Sequence, residues 1–418
     1  MASVRPSIII IAQQLLRSSS AVNILSRFKY IYFPVGENMN VKEIEKYLEK
    51  NFNKLPEGCK QCVRGEKLVL FITGICNNNC YYCPLSKKRK NKDVIYANER
   101  LITTVEEAIE EAKLCSSKGV GITGGNPLLK INRTVKFLKA LKKEFGEFHA
   151  HLYTTPETVS EENLKLLKEA GLDEIRLHPT KIFNEGYDEE YIKFLCEKLD
   201  LCNKYIEDVG VEIPAIPNME DEILKLAEAI DGIAKFMNIN ELEFSEENYY
   251  ELEKRGFKPK DDVSNAIAGS EETALKVIKE FKGNLFIHYC PSVLKDAIQM
   301  RNRLINRAKN VAKPYEVITE DGLLLRGIMI FDNEDELKEM AEILEENGID
   351  FEIIGKNIYL NPFILEDIIE EMKRQRFPIT FSAYISELYP TSDALEVERI
   401  PLITKKLRFR RRRNKGRL

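Results

Sequence analysis

The chain has 418 residues, 44% apolar and 9% aromatic, which allows two or three domains with ordinary globular cores and excludes a disordered or fibrous protein. The longest apolar run near either end is Ile8–Ala12, far short of the ~18–20 residues of a membrane-spanning helix, so a soluble, cytoplasmic protein without a membrane partner is expected. The 63 Lys and Arg nearly balance 67 Asp and Glu, but nine of the cations lie in the acid-free last 14 residues; setting these aside turns the total of −4 into −13, an acidic body with a basic tail.

Residues 1–38 form a non-core extension with no acid before Glu37, Ser18 to Ser20 in a row, and Arg5, Arg17 and Arg27 spaced apart. They read either as an Arg-containing targeting segment or as a stretch upstream of a start at Met39. Residues 39–65 follow as a helix carrying Cys59-Lys60-Gln61-Cys62. From residue 66 to 290 short β-rich runs alternate with helical patterns, the signature of βαβ units and a parallel sheet. Strands are predicted at Lys67–Ile75, Gly119–Thr123, Ala150–Thr154, Glu174–His178, Val211–Ala215 and Glu241–Ser245, with one more at Asn284–Tyr289. Helix starts are marked by Thr104 with Glu107, a capping box, and by Ser160 before an acidic first turn. Residues 291–313 are a basic helical linker, in which Lys295, Arg301, Arg303, Arg307, Lys309 and Lys313 face one acid, Asp296. Residues 314–404 read as a small α+β domain, opened by a hairpin at Asp321-Gly322 and containing helices at Glu334–Glu346 and Pro362–Arg374. Residues 405–418 are the basic tail, too charged to bury a core.

The strongest chemical signal is Gly74-Ile75-Cys76-Asn77-Asn78-Asn79-Cys80-Tyr81-Tyr82-Cys83-Pro84, a C-x3-C-x2-C spacing directly after the first strand. Three thiolates on one tight loop can hold three corners of a [4Fe-4S] cluster and leave the fourth iron open as a reaction site. A structural zinc site would be closed by four ligands. This spacing, with an aromatic residue before the third cysteine, here Tyr82, resembles the radical S-adenosylmethionine (SAM) superfamily over about Glu66 to Tyr289. Residues 66–130 resemble most an archaeal group related to pyruvate formate-lyase activating enzymes.

The resemblance implies an incomplete (βα)6 barrel with a C-terminal α+β domain appended. It also implies an enzyme in which SAM binds the open iron, and an electron from the cluster cleaves its C–S bond to a 5′-deoxyadenosyl radical that abstracts hydrogen from substrate. A low-potential electron donor is then required. The cofactor pair carries that chemistry, so no catalytic side chain is named. The family's Gly-Gly-Glu-type motif matches Thr123-Gly124-Gly125-Asn126-Pro127, with Asn126 in place of the acid that holds the SAM ammonium. Thr154, Thr155, Arg176, His178 and Ala215, at or near the ends of later strands, are the remaining cofactor-binding candidates. Arg176 and His178, two apart on one strand, share a face.

Cys59 and Cys62 need partners from elsewhere. His288 and Cys290, two apart on a strand, would complete a Cys3His zinc site; Cys59, Cys62 and Cys290 with a fourth ligand would make an auxiliary iron–sulfur cluster; unassociated thiols are the third reading. For the substrate, the basic tail and the 295–313 run suggest RNA or a nucleotide-linked molecule, while the resemblance implies a peptide or glycyl-radical activation. The reading from a different class is a non-catalytic iron–sulfur or zinc protein that binds nucleic acid.

Overall fold

The computed structural model describes residues 41–262, 264–375 and 380–403. The extension 1–38 and the basic tail 405–418 lie outside them. The chain divides into two compact units, with the boundary between Asn306 and Arg307. That boundary falls inside the expected linker, which is helical from Ser292 to Val311 and includes a π-helical stretch at Lys295–Met300. Among the described residues no helix is long and apolar enough to cross a membrane.

The first unit is built on β1 (Lys67–Phe71), β2 (Ile95–Ala97), β3 (Arg100–Ile102), β4 (Gly119–Thr123), β5 (His149–Thr154), β6 (Glu174–Leu177), β7 (Asp208–Ala215), β8 (Phe236–Glu241) and β9 (Phe286–Cys290). Their order is β3-β2-β1-β4-β5-β6-β7-β8-β9, and every pairing from β1 through β4 to β9 is parallel. The sheet is an open, incomplete barrel with helices between successive strands. β2 and β3 form an antiparallel hairpin beside β1 that turns at Asn98, whose φ is 53°. The hairpin was not expected; a lone Asn between short apolar runs is its only local signal.

The central parallel strands alternate between an apolar and a largely polar face. Leu68, Leu70, Val120, Ile122, Leu152, Ile175, Leu177, Val211, Ile213, Met237 and Ile239 are fully buried among the surrounding helices. The opposite face carries Lys67, His149, His151, Tyr153, Glu174, Arg176, Glu212, Asn238 and Asn240, a polar interior knit by side-chain hydrogen bonds. This explains the main difference from the expected strands. β8 runs over Phe236–Glu241 and not over 241–245, because its inward Asn238 and Asn240 resemble a polar connection while Glu241-Leu242-Glu243-Phe244 only mimics strand alternation. β1 stops at Phe71, and β7 starts three residues earlier than expected. The Thr104–Glu107 capping box and the Ser160 cap form as expected.

Ahead of β1, helix α1 (Val41–Asn51) and helix α2 (Glu57–Val63) pack Ile44, Leu48, Leu55, Cys59 and Val63 against Cys290 and Leu294, tying the N-terminal helices to the last strand by apolar contact. α2 enters the barrel at the end remote from the β1 loop. A Cβ on Gly58 would lie 2.6 Å from His151 Nδ1 and 2.7 Å from Arg176, and the Gly58 N–H donates to Glu174 Oε2 at 3.1 Å. Only glycine permits that approach.

The second unit is a six-stranded antiparallel sheet of β10 (Val317–Ile318), β11 (Leu324–Ile330), β12 (Phe351–Ile354), β13 (Asn357–Leu360), β14 (Ser382–Leu388) and β15 (Glu396–Ile403). The order is β12-β13-β11-β14-β15, with β10 paired to β11 across the Asp321-Gly322 turn. Helices Glu334–Glu346 and Pro362–Gln375 supply Leu337, Met340, Leu344, Leu365 and Ile369 to a core shared with Met329, Ile358 and Leu360.

Candidate active site

The cysteine loop leaves β1 at Ile72 and is held by its backbone. Thr73 Oγ1 bonds Asp93 at 2.9 Å, Gly74 N–H donates to Lys92 O at 2.8 Å, and Gly74 O accepts from Asn91 N–H at 2.9 Å. From β4, Gly125 N–H donates to Thr73 O at 2.7 Å and Asn126 N–H to Ile75 O at 2.9 Å. Two glycines are required there: a Cβ on Gly125 would meet Ile75 O at 2.3 Å, and one on Gly124, whose φ is +155°, would meet Thr73 O at 2.4 Å. The Gly-Gly pair therefore presses the end of β4 against the loop that carries Cys76.

Cys76, Cys80 and Cys83 are unlinked and partly exposed. Asn78 N–H points at Cys76 Sγ (3.4 Å) and Asn184 Nδ2 at Cys80 Sγ (3.7 Å), donors of the kind that stabilise thiolate ligands. Three free thiols on one loop, two of them with an N–H donor, are the donor set that three corners of a cubane cluster require.

Tyr82, 7% exposed, turns inward, and its hydroxyl lies 2.9 Å from His178 Nε2. His178 Nδ1 is 2.9 Å from Glu212 O, which can only accept. Nδ1 therefore carries the proton and Nε2 accepts from Tyr82. Burial lowers the His178 pKa, which keeps the ring neutral in this role. His178 thus fixes the cysteine loop to β6 through Tyr82 and stacks on Phe183.

Several expected cofactor contacts are engaged elsewhere. The Asn126 amide, fully buried, is used at both ends: Oδ1 accepts from Leu128 N–H (3.1 Å) and Thr154 Oγ1 (2.9 Å), while Nδ2 donates to Thr155 and Thr158 hydroxyls (3.2 and 3.1 Å). Asn126 and Thr154 therefore bond to each other and cap the turn after β4. Ala215 O accepts from Ser270 Oγ at 2.7 Å. Arg176 is spent inside the barrel, with Glu174 at 2.5 Å, Glu212 at 2.6 Å, Tyr153 OH at 3.2 Å and Cys59 Sγ at 3.3 Å. Glu212 also accepts from Asn238 (3.1 Å) and Asn240 (2.9 Å). Burial raises the Glu212 pKa, but the Arg176 charge and these hydrogen bonds outweigh it and hold the carboxyl below its usual range. Sequence reasoning missed this network; the signal was the period-2 polar residues His149, His151 and Tyr153 in β5, Glu174 and Arg176 in β6, and Asn238 and Asn240 in β8.

No three of Cys59, Cys62, His288 and Cys290 bring their ligand atoms within 4.8 Å of one another. A tetrahedral zinc with ~2.3 Å sulfur bonds needs its ligand atoms about 4 Å apart. Among the described residues the only three His, Cys, Asp or Glu ligand atoms within 4.8 Å of one another belong to His149, Glu174 and Asp208. Each of those three already has a cation beside it: Lys67 on His149, Arg176 on Glu174 and Lys235 on Asp208. Cys59 Sγ instead accepts from Arg176 and from Asn238 Nδ2 (3.3 Å), and burial pushes its pKa up to about 12. His288 Nδ1 meets Tyr47 OH at 2.9 Å, and Gln299 Nε2 points at Cys290 Sγ at 3.7 Å. Cys59→Ala should leave metal content unchanged and lower stability by roughly 1–3 kcal/mol, since it removes one acceptor from two buried N–H groups that keep only Glu174 and Glu212. Metal analysis beside a denaturation curve checks this; loss of about one zinc per chain would restore the metal reading.

Comparison with known proteins places this architecture. Residues 70–230 match the radical SAM superfamily model, and residues 322–402 match a domain of unknown function. The chain belongs to the radical SAM superfamily: it is an enzyme that uses a [4Fe-4S] cluster and SAM. It is 94% identical, over 375 residues that make up 90% of this chain and 100% of the relative, to a Methanocaldococcus jannaschii protein named provisionally as a glycyl-radical enzyme activating enzyme. Among solved structures, Streptococcus suis SuiB bound to SAM is 12% identical, with a TM-score of 0.39 over 68% of this chain and 62% of that one. The radical SAM methyltransferase TsrM from Kitasatospora setae is 14% identical, with a TM-score of 0.34 over 47% and 40%.

Proposed function

We propose that Cys76, Cys80 and Cys83 hold the cluster and that the substrate is a glycine in the backbone of a partner enzyme, which this protein converts to a glycyl radical. The observation that carries the substrate is the 94% identity to a relative so named. When bound, the cluster and SAM supply a 5′-deoxyadenosyl radical. The chain supplies the rigid loop, the Gly124-Gly125 approach of β4 and the Tyr82–His178 brace.

The RNA reading loses part of its support. In the 295–313 run, Lys295 pairs with Glu243, Arg303 with Glu99, and Arg307 donates to Pro390 O at 2.5 Å. Its other motivation, the tail, lies outside the described residues.

The test is anaerobic incubation of reconstituted enzyme, SAM, a one-electron reductant and candidate glycyl-radical enzymes of the same organism. The expected result is a glycyl-radical doublet in the electron paramagnetic resonance spectrum and oxygen-dependent cleavage of the partner at that glycine. Formation of 5′-deoxyadenosine that responds to bulk tRNA and to none of these proteins would overturn the reading.

A further inference from the structure

Immediately after the cluster loop the chain reads Lys87-Lys88-Arg89-Lys90-Asn91-Lys92, five cations in six residues on a chain whose body is otherwise acidic. This turn is locked to the cysteine loop. Asn91 N–H and Lys92 O hydrogen-bond both polar groups of the Gly74 backbone, two residues before Cys76. The fit is so close that a Cβ on Gly74 would fall 1.6 Å from Arg89 O.

Arg89 is the anchor: its guanidinium lies 4.2 Å from the Tyr96 ring centroid and 5.4 Å from that of Phe71, and it donates to Asn98 O at 3.4 Å. The lysines are different. Lys87, Lys88 and Lys92 are exposed and Lys90 is partly exposed, and none of the four makes an ion pair among the described residues. The nearest acid in sequence, Asp93, is already claimed by Arg133 (2.5 Å) and Lys130 (2.9 Å), which add a further positive charge to the same wall.

Unpaired like charges held together on a folded surface repel one another, and an anionic partner relieves that cost. Their place against the Cys76 loop says which partner. Whatever binds there sits beside the cluster, and the cluster must receive its electron from outside the chain. We propose that Lys87, Lys88, Lys90 and Lys92 are the docking surface for an acidic one-electron carrier protein, which gives one electron to the cluster and leaves oxidised by one. This rests on the radical SAM reading of the site and is independent of the substrate.

The probe is a strongly acidic bacterial-type ferredoxin, used with the full chain. Carbodiimide crosslinking should join its carboxylates to Lys87, Lys88, Lys90 or Lys92, as mapped by mass spectrometry. Converting these four lysines to Gln, with Arg89 kept, should weaken ferredoxin binding by about tenfold or more at low salt and flatten its ionic-strength dependence. Ferredoxin-driven formation of 5′-deoxyadenosine should fall to the same extent. Formation driven by reduced methyl viologen, a small cation, should not fall. Lys88→Glu repeats the test with one exposed change.

Crosslinks confined to other lysines, unchanged ferredoxin affinity, or equal loss of both reductant-driven rates at unchanged cluster content would each overturn the proposal. So would loss of bulk tRNA binding with ferredoxin binding intact, which would make the surface a nucleic-acid site. Absence of viologen-driven 5′-deoxyadenosine in the wild type would instead overturn the radical SAM assignment of these residues.

Discussion

Replacing Cys76, Cys80 or Cys83 by Ala abolishes 5′-deoxyadenosine formation and strips the protein of cluster iron and sulfide. With three protein ligands already the minimum for a site-differentiated cubane, loss of one leaves two irons without a thiolate, and cluster occupancy falls towards zero instead of by a fraction. The fold should survive. The loop is held by Gly74, Thr73, Ile75 and their partners Lys92, Asp93, Gly125 and Asn126, and none of those bonds uses a sulfur. The variants should therefore keep wild-type far-ultraviolet circular dichroism while losing cluster absorbance and every SAM-perturbed resonance signal. A triple variant that still showed a SAM-perturbed cluster would place the site elsewhere.

Arg176→Met should cost about 3–5 kcal/mol at neutral pH, the usual penalty for breaking a buried ion pair from one side. Glu174 is fully buried and Glu212 partly buried, and both lose the guanidinium; Tyr153 OH and Cys59 Sγ lose a donor as well. The pH dependence gives the test a sign. In the wild type the Glu212 pKa is held below its unfolded value, so its contribution is complete above the unfolded carboxyl pKa, ~4.3, and is lost as pH falls through the lower folded value. Without Arg176, burial acts with less opposition and raises the Glu212 pKa, so protonation relieves the variant as pH falls. The gap in melting temperature between wild type and variant should narrow between pH 7 and pH 4.5. A constant gap would mean that the guanidinium acts only by filling space.

The cluster loop could be read from sequence because three thiols at fixed spacing allow few chemistries and need no knowledge of the tertiary fold. The parallel strands were legible through their outward apolar halves, Leu68 and Leu70, Val120 and Ile122, Ile175 and Leu177. Their inward halves were harder to read, because the partners of each side chain come from distant parts of the chain. His288 and Cys290 share a strand face, which suggests metal ligands from sequence; that face is also the wall of a polar interior in which Tyr47 OH meets His288 Nδ1. Asn126 sits where the family motif has its acid, but which groups its amide meets depends on Thr154, Thr155 and Thr158, about 30 residues further along. Arg176 looked like a strand-end ligand because sequence cannot show that Glu174, Glu212 and Cys59 converge on it from three elements.

The seating of α2 has a consequence for the lifetime of reactive species. With Gly58 pressed against His151 and Arg176, and Glu174 taking its N–H, the barrel axis is stoppered at the end remote from Cys76. Quenching by small molecules travelling along the axis is blocked from that end. Protection during turnover then depends on how well the substrate covers the other mouth, so a short peptide that fits loosely should waste more SAM per product than a folded partner that seals it.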